Sequence, residues 1–332
     1  MKTSAPRARK ALLTGLLALA PMALAAIPSA AMAAYPERPI TIVVPFSAGG
    51  VVDLITRSIG EKLSSKYGQS VVVENRTGAG GAVGTDTVAR AQADGYTLLS
   101  VSPSHAVAPS LNKSLNWHPV ENFRAVAGFG NVPNVIVVHP GVPVKTMEEL
   151  IDLAKKSDTP ITYGTAGNGT SNHLSGALLE SLAKIDLEQI PYRGQTNAVT
   201  DLLGGRIDMM PLTIALAKQY IDSGKLVPLA VTTKARARSL PDVPIVAEAA
   251  NLPDYEVGTW FGFVAPKGTP TDIVDQLSKD IAEILKMPDV QTTLAGIGLE
   301  VQYRTPGEFD SFIEDEYNKW SKVMKEAGVE PQ

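Results

Sequence analysis

The sequence predicts an α/β protein built on parallel, doubly wound sheet. Three observations carry this. Short β-branched runs alternate with amphipathic stretches of helical period. Gly-rich turns follow the runs, and the strand–helix–strand order repeats twice along the chain. Finally, 332 residues with 44% hydrophobic content are enough for about two ordinary cores.

The elements follow in order. Ile40 to Val44 reads as a buried strand ending at Pro45. A helix follows, with Val52, Ile55, Ile59 and Leu63 on one face. Val71 to Val73 is the next strand, Ala82 to about Gln92 a helix, and Thr97 to Val101 a third strand after the Asp94-Gly95 turn. Phe123 to Pro140 reads as two further apolar runs split by Gly130 and Pro133. Thr146 and Glu149 form a capping box. A second alternating unit then runs from the strand at Ile161–Tyr163 to the strand at Leu226–Thr232. Its first helix carries Leu174, Leu178 and Leu182. Val257 to Pro266 reads as a crossing segment. The last third reads as helical, with one helix carrying Ile273, Leu277, Ile281 and Ile284. A second starts at the capping box Thr305–Glu308.

The first residues read as a secretory signal peptide. Lys2, Arg7, Arg9 and Lys10 are the basic region, Ala11 to about Ala26 the apolar run, and Ala31-Met32-Ala33 the cleavage site. Pro21 and Pro28 interrupt the run, which argues against an uncleaved anchor. The exported chain then begins near Ala34 or Tyr35. Removing the four leader cations from 30 leaves 26 bases against 34 acids, net −8. That balance argues against nucleic acid as a partner. The chain has no cysteine, which excludes thiol catalysis and Cys-based metal sites. Its four histidines do not stand in H-E-x-x-H spacing, so no metal and no cofactor is expected.

Three polar, Gly-rich loops follow strands, where open α/β sheets bind ligands. The first is Phe46-Ser47-Ala48-Gly49-Gly50, with Asp53 in the next helical turn. Its glycines and the helix start suit a carboxylate or phosphate. The second, Gly78 to Gly81, nearly matches a dinucleotide fingerprint but has Val83 at the third glycine position. These glycines read mainly as packing residues. The third runs from Tyr163 to His173. Gly164 and Gly169 have phosphate-loop spacing, but Thr170 replaces the required lysine, so ATP is rejected. What remains is a nest of amides and hydroxyls at a helix start. No G-x-S-x-G surrounds Ser47 or Ser171, which disfavours a secreted α/β hydrolase.

These residues resemble the substrate-binding proteins of tripartite tricarboxylate transporters, the Bug family. The likeness lies in Tyr35-Pro36-Glu37-Arg38-Pro39-Ile40, Val44-Pro45-Phe46-x-Ala48-Gly49-Gly50-x-x-Asp53 and Glu74-Asn75-x-x-Gly78-Ala79-Gly80-Gly81. It continues in Gly164-Thr165-x-Gly167-x-Gly169-Thr170-x-x-His173, Pro191-Tyr192-Arg193-Gly194 and Pro266-x-Gly268-Thr269-Pro270. The resemblance implies a type II periplasmic-binding-protein fold: two doubly wound lobes joined by two crossing strands, near Pro133–His139 and Trp260–Pro266. Lobe one would be residues 34–133 plus 262–332, after a signal peptide at 1–33, and lobe two 134–261. It implies a solute-binding protein, not an enzyme, that captures a small carboxylate as a monomer and serves two integral membrane transporter subunits. A sensor for a two-component kinase is the alternative. By position, Phe46, Ser47, Ala48, Gly49 and Asp53 would line the cleft beside Ser102, Ser104 and His105. Thr165, Gly167, Gly169, Thr170, Ser171 and His173 would face them, with Tyr192 and Arg193 on the far wall. Asp208 reads as structural. A valine at Gly49 is expected to block ligand approach to that residue's amide.

Overall fold

β1 (Ile40–Val44) carries the first apolar run into the interior of a sheet, where four of its five residues are buried. The computed structural model describes residues 35–326 and 331, so the signal-peptide reading lies outside the described residues. After β1 come α1 (Val51–Tyr67), β2 (Val71–Asn75), α2 (Ala82–Ala89), β3 (Thr97–Val101), α3 (Pro103–Leu111) and the long β4 (Phe123–Val138). Next are α4 (Met147–Lys156), β5 (Ile161–Thr165), α5 (Ser171–Ala183), β6 (Leu187–Pro191), α6 (Gln195–Leu203), β7 (Met209–Thr213), α7 (Ile214–Asp222) and β8 (Val227–Val231). The chain ends with α8 (Val246–Ala249), β9 (Gly258–Pro266), α9 (Thr271–Ile284), α10 (Pro288–Gly296), β10 (Glu300–Arg304) and α11 (Pro306–Glu326).

The sheet has two parts that share β4. In the first, the strand order is β2-β1-β3-β9-β4, with β10 on the far side of β4. β1 is parallel to both neighbours, while β9 runs antiparallel to β3 and β4. In the second part β6, β5 and β7 are parallel, and β4 lies antiparallel between β7 and β8. β4 changes partners between Pro133, opposite Gly258, and Asn134, opposite Thr213. The two apolar runs expected over Phe123–Pro140 are therefore one continuous strand. Gly130 sits at a register shift, and Pro133 occupies the last position of the β9 ladder. β9 pairs with β4 from its first residue, so the second change of sheet falls before Gly258 and not within Trp260–Pro266.

Each sheet part is covered on both faces, as the doubly wound reading requires. Ile55, Ile59 and Leu63 of α1 pack with Leu277, Ile281 and Ile284 of α9 on Ile40, Ile42 and Leu98. Val43, Leu99 and Val101 point to the other face and meet Val88, Phe309 and Ile313. In the second part, Val135 and Val137 meet α6 and α7, whereas Ile136 and Val138 meet α4 and α5. Each such buried aliphatic side chain stabilises the fold by roughly 1.5–3 kcal/mol relative to exposure. α11 belongs to both parts. Its Phe309 and Ile313 lie in one core, and its Trp320, Val323 and Met324 in the other.

Candidate functional site: loops at the carboxyl ends of the parallel strands

The loop after β1 is held from beneath. Asp53, only 2% exposed, accepts from the Gly49 amide at 2.9 Å and from Arg57 Nε at 2.9 Å through Oδ2. Its Oδ1 accepts from Asn75 Nδ2 at 2.9 Å, and that amide also donates to the Phe46 carbonyl at 3.0 Å. Arg57 reaches back to Asn75 Oδ1 at 2.9 Å. Burial opposes the charge on Asp53, but the donors from Arg57, Gly49 and Asn75 outweigh it and hold the carboxyl below its usual range. Asp53, expected against the ligand, is thus turned toward its own loop.

Gly49 does not present the free amide expected of it. Its amide is already committed to Asp53, so it is not an open donor. A Cβ there would meet nothing within 4 Å, and the residue is constrained instead by its φ of +79°. Glycine is selected by the turn, not by ligand approach. Ser47, Ala48, Gly49 and Gly50 are exposed and Phe46 is half-buried. Gly50 caps α1 without a side-chain bond, leaving the first amides of that helix without a capping side chain.

After β3, Ser102 caps α3 with backbone alone. Its hydroxyl lies 3.3 Å from Ser104 Oγ. His105 is buried, with its ring stacked on Trp117 at 5.5 Å and edge-on to Phe123 at 4.9 Å. Nε2 lies 3.1 Å from the Pro119 carbonyl, which can only accept, so that nitrogen carries the proton. Nδ1 is left as a bare acceptor, and Trp117 Nε1 is likewise unpaired. Burial lowers the His105 pKa to about 4, against a partial rise from the Pro119 bond. Ser102, Ser104 and His105 line a small cavity of about 10 Å³ together with Gly80 and Gly81. That is space for roughly one water.

After β5, Thr165 is fully buried, and its hydroxyl accepts from the Gln189 side chain at 3.0 Å and from the Gly167 amide at 3.3 Å. Thr170 caps α5 with backbone only, and its hydroxyl donates to the Gly167 carbonyl at 2.7 Å. The N-terminal amides of α5 therefore lack a capping side chain too. Ser171 Oγ accepts from Thr259 Oγ1 at 2.6 Å, and His173 Nδ1 accepts from the Gly169 amide at 3.2 Å. Burial lowers the His173 pKa to about 4. The Tyr192 hydroxyl donates to Asp201 at 2.8 Å, turning it from the loop, and Arg193 is exposed. Asp208 accepts from the amide and hydroxyl of Thr162 at 2.8 and 2.7 Å, the structural role expected of it.

Helix α3 and the loops after β2 and β5 meet around a cavity of about 400 Å³, which no residue of the loop after β1 lines. Ala79, Gly80 and Ala82 form one side, Ser104, Ala108 and Leu111 of α3 a second, and Asn168 and Gly169 a third. A Cβ on Gly169 would lie 3.0 Å from Leu111 Cδ1, so the third loop and α3 are in close approach. Of the expected residues, Ser102, Ser104, His105 and Gly169 line one of these two cavities. The segment 79–82 was missed as a wall. Its Gly81 and the following Gly84 do pack as expected, the latter so tightly that a Cβ would lie 2.7 Å from the Arg76 carbonyl. The signal available for Ala79, Gly80 and Ala82 was their place after a strand, the same rule that marked the other two loops.

A wider groove of about 1060 Å³ lies between α7, α10, β10 and α11. Its walls carry the ion pairs Lys234–Glu256 and Lys319–Glu316, at 2.9 and 3.1 Å. Glu316 also accepts from the indoles of Trp260 and Trp320 at 2.9 and 3.0 Å. Most of this groove is walled by elements other than the loops after the parallel strands. Among the described residues no helix is long and apolar enough to cross a membrane, and no group of three or more His, Asp or Glu is placed to hold a metal.

An open α/β sheet with a cavity at its strand ends and uncapped helix starts beside it is a ligand-binding architecture. The chain belongs to the tripartite tricarboxylate transporter receptor family, whose profile matches residues 55–329. BugT of Bordetella pertussis (strain Tohama I) is 36% identical over 301 residues, covering 89% of this chain and 91% of BugT. The structure of R. palustris Rpa4515 with adipate superposes with a TM-score of 0.79 at 34% identity, over 90% of this chain and 100% of that one. MatC (Rpa3494) from Rhodopseudomonas palustris, solved with bound malate, gives 0.76 at 32% identity, over 87% and 99%. The fold is thus that of the periplasmic solute-binding proteins, and members of this family are substrate-binding receptors.

Proposed function

We propose that this chain is a periplasmic receptor, without catalytic activity, that binds a small carboxylate and delivers it to two integral membrane transporter subunits. It acts as a monomer of two lobes, residues 34–133 with 262–332 and residues 134–261, which close on the ligand. The observation that carries this reading is the convergence of α3 and the loops before α2 and α5 on one cavity. Uncapped helix starts supply amide donors and partial positive charge for an anion. Ser47, Ala48 and the start of α1, with Thr170, Ser171 and His173 opposite, complete the cleft on closure. Tyr192 and Arg193 stand at its outer rim. Closure follows from contacts that the ligand makes with both lobes only in the closed state. The relatives solved with adipate and malate support a carboxylate as the ligand class.

Catalysis is disfavoured by the geometry of the candidate nucleophile. Ser171 Oγ is engaged by Thr259, and His173 is a weak base whose Nδ1 is spent on the Gly169 amide. The test is a melting-temperature scan of refolded, ligand-free protein against mono-, di- and tricarboxylates. A ligand at about 100 times its Kd adds roughly 2.7 kcal/mol of stability. A concentration-dependent shift with one acid class is the expected result. Folded protein that shifts with no carboxylate would contradict the reading.

A further inference from the structure

Two asparagines line the 400 Å³ cavity, one on each of two walls. Asn112 closes α3, and Asn168 lies in the loop before α5. Asn112 Oδ1 accepts from the amide and the hydroxyl of Ser114 at 2.9 and 2.6 Å. A backbone N–H can only donate, so the atom facing it is the oxygen, and the orientation of this carboxamide follows. Asn168 Oδ1 accepts from the Gln189 side chain at 3.0 Å, and the same nitrogen of Gln189 donates to the Thr165 hydroxyl at 3.0 Å. In both asparagines the acceptor half is spent on the chain itself. The donor half, Nδ2, finds no acceptor among the described residues and is left for the cavity. No Asp, Glu, Lys or Arg side chain lines this space, so no charged group competes for those donors or stands in for them.

We infer that the Nδ2 groups of Asn112 and Asn168 donate to the carboxylate of the ligand. The end of α3 then reads the acid from one wall and the third loop from another. This rests on the proposed carboxylate-binding role and names side chains that carry it. An ionised carboxylate is acceptor-only, with about four lone-pair sites, so it can take both N–H groups together with amides at the start of α5. Hydrogen bonds to a charged acceptor are roughly twice as strong as neutral ones, which lets carboxamides hold an anion without an arginine. The Ser104 and Ser114 hydroxyls lie on the same wall, and the assignment holds for a plain or a hydroxylated acid.

Titration calorimetry with succinate, glutarate, adipate, malate, citrate and benzoate first selects the acid that the wild-type protein binds most tightly. Asn112→Asp and Asn168→Asp keep the oxygen that accepts from Ser114 or Gln189 and exchange only the free N–H group for a second oxygen. Each should weaken binding of that acid by about 100-fold or more, with the ligand-free melting temperature nearly unchanged. Lys113→Glu is the control for charge. It reverses an exposed charge beside Asn112 at a residue that does not line the cavity, and it should change affinity by less than about 3-fold. A loss in Lys113→Glu equal to that in Asn112→Asp would assign the effect to long-range charge and overturn the contact. Side-chain amide NMR of the wild-type protein reads the contact without a substitution. The Nδ2 protons of Asn112 and Asn168 should move downfield when the acid is added. Unmoved Nδ2 resonances, or affinity retained in the Asp variants, would overturn the inference and leave the receptor reading intact. Absence of binding by every one of these acids would instead overturn the receptor reading and the inference with it.

Discussion

Asp53 is the residue on which the first loop depends. Replacing it with alanine strips acceptors from the Gly49 amide, Arg57 and Asn75 together. The expected loss is roughly 2–4 kcal/mol in urea unfolding, because a buried network is broken from one side, with weakened ligand binding. Stability and affinity close to wild type would show that the loop is not clamped in this way. Part of this was readable in advance. Arg57 lies four residues on from Asp53, on the same helix face, and their pairing is a helix rule. Asn75 arrives from another strand, 22 residues away, and no local pattern announces it.

The buried histidines set the response to acid. Burial depresses His105 and His173 to about 4, below the unfolded value of about 6.5. The unfolded chain therefore binds more protons on acidification. Their contribution is complete above about pH 6.5 and is lost as pH falls toward 4, at roughly 3 kcal/mol each when lost in full. Asp53, also depressed, contributes above its unfolded value of about 3.9 and adds its loss below that. The melting temperature should fall between pH 6.5 and 4.5, and a His105→Gln, His173→Gln double variant should flatten that decline. An unaltered slope in the folded double variant would place the titration elsewhere.

At the scale of elements, helix starts were the most legible feature. Both capping boxes are formed. Thr146 accepts from the Glu149 amide at 3.1 Å, and Thr305 accepts from the Glu308 amide at 3.4 Å while the glutamate returns to the Thr305 amide. Thr146→Ala should cost about 1 kcal/mol, read as a small drop in urea midpoint. Elements defined by distant pairing were not legible. β10 is mostly exposed and polar, and it becomes a strand only by pairing with Gly128–Asn131 of β4. α3 contains Pro109, which masks a helix in sequence although the chain accommodates it near the end of the element. Gly262 of β9 is another distant effect. A Cβ there would run into the Phe309 ring and lie 2.6 Å from the Ala127 carbonyl. Gly262→Ala should destabilise by about 2–3 kcal/mol through overpacking, measured by thermal and urea unfolding. A neutral result would mean that α11 and β9 can separate freely.

At the scale of the whole molecule, the alternation of β-branched runs and amphipathic helices was enough to give the doubly wound class. The sharing of β4 by both sheet parts was not, since Gly130 and Pro133 interrupt its apolar pattern. The same holds for α11, whose length places Phe309 in one core and Trp320 in the other. No local period reports that a helix serves two cores. The most direct test of the central claim, one carboxylate bound by the loops of both lobes, is amide hydrogen exchange with and without the acid found by the melting scan. Simultaneous protection at residues 47–53, 79–82, 102–105 and 166–173 is the expected result. Protection confined to one of these sets, or centred on β10 and α11, would contradict it.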